Sequence, residues 1–110
     1  MTAAATPFLV LSTASSAEEA ERLARALVGE RLAACVNVVP GVRSVYRWRG
    51  EVEAAGELLL LIKTARDRLD ALRLRLRQLH GYELPEIVYL EVSGGDADYL
   101  AWVVGETRPG

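Results

Sequence analysis

Residues 58–62 read "LLLLI", apolar at every position, and no other stretch limits the fold as tightly. A strand with one wet face alternates polar and apolar side chains, whereas this one needs cover on both sides. Each of the five residues contributes roughly 1.5–3 kcal/mol when buried, so leaving half of them in water would be costly. The architecture must therefore supply two covers for one strand. The flanking segments decide how many of them the chain provides itself.

"PFLVLST", residues 7–13, reads as a buried first strand. "SSAEEAERLARALVGERLA" follows as a helix of roughly four turns. Ser16 and Glu19 have capping-box spacing, and Ala20, Leu23, Ala24, Leu27 and Val28 fall on one face. Strand-formers then run from Cys35 to Trp48, interrupted at Pro40-Gly41 by a bulge or bend. Arg49-Gly50 suits a hairpin turn before a strand over 57–64. The second helix, "DRLDALRLRLRQLHG", carries Leu69, Leu72, Leu76 and Leu79 as its apolar stripe, with Gly81 at the position after its end. "PEIVYLEVS" is a fourth strand opened by Pro85, and Asp96 caps a short third helix.

The order is thus β-α-β-β-α-β followed by a helix, an α+β arrangement. A split β-α-β of this kind places both main helices on one face of a four-stranded antiparallel sheet. The chain covers one side of "LLLLI", so the second cover is expected from another copy of the protein. At 110 residues the chain reads as one domain, 1–110, with loose ends at 1–6 and 105–110. A net charge of −2 gives no basic field for nucleic acid. "MTAAATPFLVLSTA" has no basic stretch before its short apolar run, so neither a signal peptide nor a membrane span is expected. The single cysteine, Cys35, forms no intrachain disulfide and suits a reducing, cytoplasmic setting.

Candidate chemistry centres on "LHGYELPEIVYL", which contains the only histidine, His80. A closed zinc site needs about four nitrogen or sulfur ligands, and the chain offers one imidazole and one thiol. That leaves a weak or shared metal site at His80, completed by carboxylates, water or another subunit. The plainer reading has His80 meeting carbonyls at the helix end. Cys35 and His80 would make an activated thiolate only if the fold brought them together. Neither a nucleophile elbow nor a glycine-rich phosphate loop is present. Tyr46 and Trp48 share one strand face, a pair suited to packing against a neighbouring subunit. Lys63 stands alone among twelve arginines, which draws attention to it as a place for a compact ammonium.

Taken together and in order, "RLAACVNVVPGVRSVYRWRGEVE", "ELLLLIKT", "LHGYELPEIVYL" and "GDADYLAWV" resemble the CutA divalent-cation tolerance family over residues 8–104. The resemblance implies a homotrimer of ferredoxin-like subunits and a link to tolerance of copper and other divalent metals, with no firmly established catalysis. It also implies an intersubunit cleft lined by Cys35, Trp48, Lys63, Tyr82 and Glu86, with His80 as a weak metal ligand and no required cofactor. Copper-binding relatives can carry a cysteine where this chain has Ser12 and a histidine where it has Leu79. Gly81 stands where proline is usual.

Three functional classes follow. The first is a trimeric binding or signalling protein of divalent-metal homeostasis. The second is an enzyme using Lys63, His80 and Glu86 in the intersubunit cleft, and the third is a trimeric scaffold for protein partners. A Glu86–Lys63 pair is the polar contact expected in that cleft.

Overall fold

The computed structural model describes residues 5–109. In chain order the elements are β1 (Pro7–Ala14), α1 (Ala17–Gly29), β2 (Cys35–Trp48), β3 (Glu51–Ala65), α2 (Leu69–Leu79), β4 (Val88–Glu91) and α3 (Ala97–Glu106). The strands form one antiparallel sheet in the order β2-β3-β1-β4. This is the four-stranded α+β architecture expected from the split β-α-β order.

One sheet face carries the core. Val10 of β1 pairs with Ile62 of β3, and Ser12 with Leu60. Val10, Leu60 and Ile62 cluster with Leu23 and Leu27 of α1 and Leu72 and Leu76 of α2, all without exposed surface. These helices present leucines at three- and four-residue spacing, so each turns one apolar stripe to the sheet. The opposite face bears Leu9 and Leu11 of β1 and Leu59 and Leu61 of β3, all half-buried. Leu11 pairs with Val88 and Leu9 with Leu90, both exposed, so the apolar row continues onto the edge strand. On this side α3 reaches β3 and β1, with Tyr99 below Lys63. The two sides of "LLLLI" therefore differ: helices cover Leu60 and Ile62, while Leu59 and Leu61 are covered only in part.

Several boundaries depart from the sequence reading. Strand β3 begins at Glu51, not at residue 57. Arg49 and Gly50 both have positive φ, 50° and 82°, the signature of a two-residue hairpin turn that suits glycine at its second position. Pairing starts at once with Trp48 opposite Glu51. The expected bulge is present, as a register shift between Val39 and Val42. Strand β4 is only four residues long, because the chain from His80 to Ile87 is occupied elsewhere.

Helix α1 is capped as expected on one side only. The Ser16 hydroxyl accepts from Glu19 N at 3.1 Å, but the Glu19 carboxylate does not return to Ser16. Its Oε1 accepts from the Ser15 amide and hydroxyl at 2.9 and 3.0 Å. Its Oε2 accepts from the Gly81 amide at 2.8 Å. Helix α2 ends differently from the expectation too: His80 leaves it in extended conformation, with φ −74° and ψ 140°. Gly81 is not left-handed; a Cβ there would lie 2.7 Å from Glu19 Oε2. Glycine is suited to this position by close approach of the carboxylate.

The loose end expected from residue 105 is not found through Arg108. Helix α3 runs to Glu106, Thr107 is fully buried, and Arg108 forms a two-pronged pair with Asp67 at 2.6 and 2.7 Å. The Asp67 carboxyl is held below its ordinary range by the Arg108 hydrogen bonds, against the opposing effect of burial. Of the expected loose start, residues 1–4 lie outside the described residues. Thr6 is tied down, its carbonyl accepting from Arg66 N at 2.8 Å.

Candidate functional site

The hairpin turn at Arg49-Gly50 fixes which side chains share a ribbon face. Tyr46 stands opposite Glu53, Trp48 opposite Glu51 and Val42 opposite Glu57. With a side-chain period of two, Tyr46, Trp48, Glu53 and Glu57 point the same way. The segment between α2 and β4 lies across from them. Together they enclose an open cleft of about 770 Å³, whose walls include Tyr46, Trp48, Glu53, Glu57, Tyr82 and Glu86.

Contacts tie the two walls together. The Tyr82 hydroxyl donates to Glu57 Oε2 at 2.8 Å. Burial, then this hydrogen bond and the charges of Glu57 and Glu19, push the Tyr82 phenol well above its ordinary pKa. It stays a donor throughout the physiological range. At the mouth, Arg49 donates to Glu83 Oε2 at 3.1 Å, and its guanidinium carbon sits 5.3 Å from the Trp48 ring centroid.

Behind the cleft lies a buried polar joint centred on His80, whose side chain has no exposed surface. Its Nε2 is 2.7 Å from the Thr13 carbonyl, so Nε2–H donates there. Its Nδ1 accepts from Tyr82 N at 3.0 Å. The neutral tautomer protonated on Nε2 satisfies both bonds. The His80 and Tyr82 rings are 4.8 Å apart, and Glu19 Oε2 lies 3.9 Å from Nδ1. Burial works to raise the Glu19 carboxyl, but the hydrogen bonds from Ser15 and Gly81 outweigh it and hold it below its usual range. Glu19 thus anchors the start of α1 to the exit of α2, and His80 anchors that exit to β1.

The sequence-derived candidates divide into two groups. Trp48, Tyr82 and Glu86 meet in the cleft. Cys35 and Lys63 are cross-strand partners near the opposite end of β2 and β3, level with Leu9 of β1. His80 meets β1 at Thr13, four residues along, about 13 Å at strand rise. Hence one chain brings Cys35 to neither His80 nor the cleft. Lys63 Nζ donates to Asn37 Oδ1 at 2.6 Å and lies 5.8 Å from the Tyr99 ring centroid. Within one chain no Glu86–Lys63 pair forms among the described residues. Cleft residues Glu53 and Glu57 are absent from the sequence-derived set. Starting the strand at 57 hid the register that puts Glu53 beside Tyr46, although the Arg49-Gly50 turn carried that information.

As a metal centre the single chain fits poorly. No group of three or more His, Cys, Asp or Glu side chains converges among the described residues. Both His80 nitrogens already have protein partners.

A four-stranded antiparallel sheet in the order β2-β3-β1-β4 with α1 and α2 on one face defines a ferredoxin-like fold. The profile of the family described as "CutA1 divalent ion tolerance protein" matches residues 8–106. The divalent-cation tolerance protein CutA of Thermus thermophilus is 52% identical over 95 residues, covering 86% of this chain and 92% of the relative. The chloroplastic protein CutA 1 of Oryza sativa is 44% identical over 100 residues, covering 91% of this chain and 56% of its own length. The crystal structure of CutA1 from Oryza sativa superposes with a TM-score of 0.92 at 40% identity, covering 99% of this chain and 100% of that one. The chain belongs to the CutA divalent-cation tolerance family.

Proposed function

We propose that this protein works in divalent-cation tolerance as a homotrimer whose clefts are completed between copies. The observation that supports the assembly is the second sheet face. Leu9, Leu11, Leu59, Leu61, Val88 and Leu90 form an apolar row that the chain's own helices leave partly open. On the other face the distal ribbon leaves Val45 and Val52 bare as well, 67% and 66% exposed. A two-stranded ribbon is marginal alone, and an apolar area of this extent marks an association surface.

In that assembly Lys63 and Cys35 of one copy approach Trp48, Tyr82 and Glu86 of another. A Glu86–Lys63 pair then forms between chains, since the two residues do not meet within one. Any part of His80 in holding copper or another divalent ion is secondary and weak. It requires the bond to Thr13 or the bond from Tyr82 to open first, and tight binding needs preorganised partners. The reading is that of a binding or signalling protein rather than an enzyme, and Cys35 as a free thiol suits a reducing cytoplasm.

Light scattering at micromolar concentration tests the assembly. A mass of three times the 12.0 kDa chain is expected, and a stable monomer would refute the reading. Copper titration of wild type and His80→Ala tests the metal clause: weak binding that disappears in the variant is expected. Tight stoichiometric binding that survives would place the site elsewhere.

A further inference from the structure

The cleft has a composition that the fold itself does not require. Three aromatic side chains, Tyr46, Trp48 and Tyr82, share it with the carboxylates of Glu53, Glu57, Glu83 and Glu86. Arg49 answers Glu83. A neighbouring copy's Lys63 would answer Glu86 under the reading above. Glu53 and Glu57 then remain without a cation: neither forms an ion pair among the described residues. Glu57 does accept from the Tyr82 hydroxyl, whose pKa is raised first by burial and then by the Glu57 hydrogen bond and charge.

A compact metal ion is a poor match for these two carboxylates. They stand four residues apart on β3, about 13 Å at strand rise, and among the described residues no third ligand converges with them. Aromatic faces between separated carboxylates suit a longer cation, whose charged ends meet oxygens while its methylenes lie along rings. Arg49 shows this chemistry at the mouth of the same cleft, with its guanidinium near the Trp48 ring and bonded to a carboxylate. The volume of about 770 Å³ lies within the range of small-molecule sites.

We propose that the cleft binds an aliphatic organic cation of the polyamine class, with amino or guanidino groups at Glu53 and Glu57 and its chain along Tyr46 and Trp48. This inference rests on the cleft reading and adds the ligand class. Glu53 makes no side-chain hydrogen bond among the described residues, and Gln at position 57 keeps an acceptor for Tyr82, so both variants retain the scaffold.

The test is calorimetric titration of the full chain with spermidine and with agmatine near physiological ionic strength, alongside the Glu53→Gln and Glu57→Gln variants. Saturable binding is expected, weakened roughly tenfold for each carboxylate lost, the scale of one charge-assisted hydrogen bond. Unchanged affinity in both variants, or the same isotherm from magnesium at equal charge, would overturn the proposal. A parallel indole titration followed by NMR separates the two levels of the argument. Indole shifts at Tyr46, Trp48 and Tyr82 without any spermidine or agmatine binding would keep the cleft and reject the ligand class. No response to any probe in an intact trimer would reject both.

Discussion

The β2–β3 ribbon contains two regions that share a ladder and differ in everything else. At its base, Leu60 and Ile62 have no exposed surface, and Val36 and Val38 pack against the helices. Beyond the shift between Val39 and Val42, cross-strand pairing continues to Trp48–Glu51, yet Val45 and Val52 stand two-thirds exposed. Backbone hydrogen bonding therefore sets the shape of both halves, while burial stabilises only one. A net hydrogen bond contributes about 1 kcal/mol, less than one buried leucine, so the tip depends on whatever covers it.

Leu60 and Leu61 sharpen that contrast, as neighbours on one strand pointing to opposite faces. Leu60→Ala is expected to cost about 3 kcal/mol at any protein concentration, because it opens a cavity under α1 and α2. Leu61→Ala should cost less in dilute solution, with a penalty that grows with protein concentration as copies associate. Urea denaturation at two concentrations measures both. A concentration-independent Leu61 penalty would mean that no second copy covers that face.

The next effect tests whether the joint behind the cleft is as firm as the ribbon base. Glu19 accepts three hydrogen bonds, from Ser15 N, Ser15 Oγ and Gly81 N. Removing the carboxylate in Glu19→Ala leaves two partly buried amides without their partner, at about 1–2 kcal/mol. Its folded pKa lies below its unfolded value. The Glu19 contribution is therefore complete above the unfolded carboxylate range and disappears as pH falls through the lowered folded value. Wild type should lose this stability on acidification, whereas Glu19→Gln should show a flatter acid limb. Equal acid limbs would remove Glu19 from the joint.

How much of this was legible in the sequence follows the range of the interactions involved. The Ser16 cap, the Arg49-Gly50 turn and the leucine stripes are local, and all three are present in the fold. The meeting of Trp48, Tyr82 and Glu86 came from family resemblance, and the chain does place them together. Glu19 was legible only as a cap, because its second partner, Gly81, lies 62 residues away. Cys35 and Lys63 join the cleft only through the same resemblance, which implies a cleft between copies; within one chain the register of β2 with β3 keeps them at the other end of the ribbon. The short β4 is illegible for a related reason: "PEIVYLEVS" has strand chemistry throughout, yet only Val88–Glu91 pairs with β1.

The smallest effects compare two buried hydroxyls in the ribbon-base layer. Thr64 Oγ1 donates to the Leu32 carbonyl at 2.7 Å, whereas Ser12 Oγ, equally buried, has no hydrogen-bond partner among the described residues. Burying a hydroxyl costs free energy that a hydrogen bond returns, so the two positions should respond with opposite signs. Thr64→Val deletes a made bond and orphans a carbonyl, and is expected to destabilise by about 1 kcal/mol. Ser12→Cys keeps the size nearly constant and replaces an unsatisfied donor with a weaker one that behaves as a small hydrophobe. It should stabilise by up to about 1 kcal/mol. Thermal melting of the two variants beside wild type reads both signs in one experiment. A destabilising Ser12→Cys would show that the Ser12 hydroxyl has a partner in solution, such as a buried water, and that this layer is wetter than the leucines around it indicate.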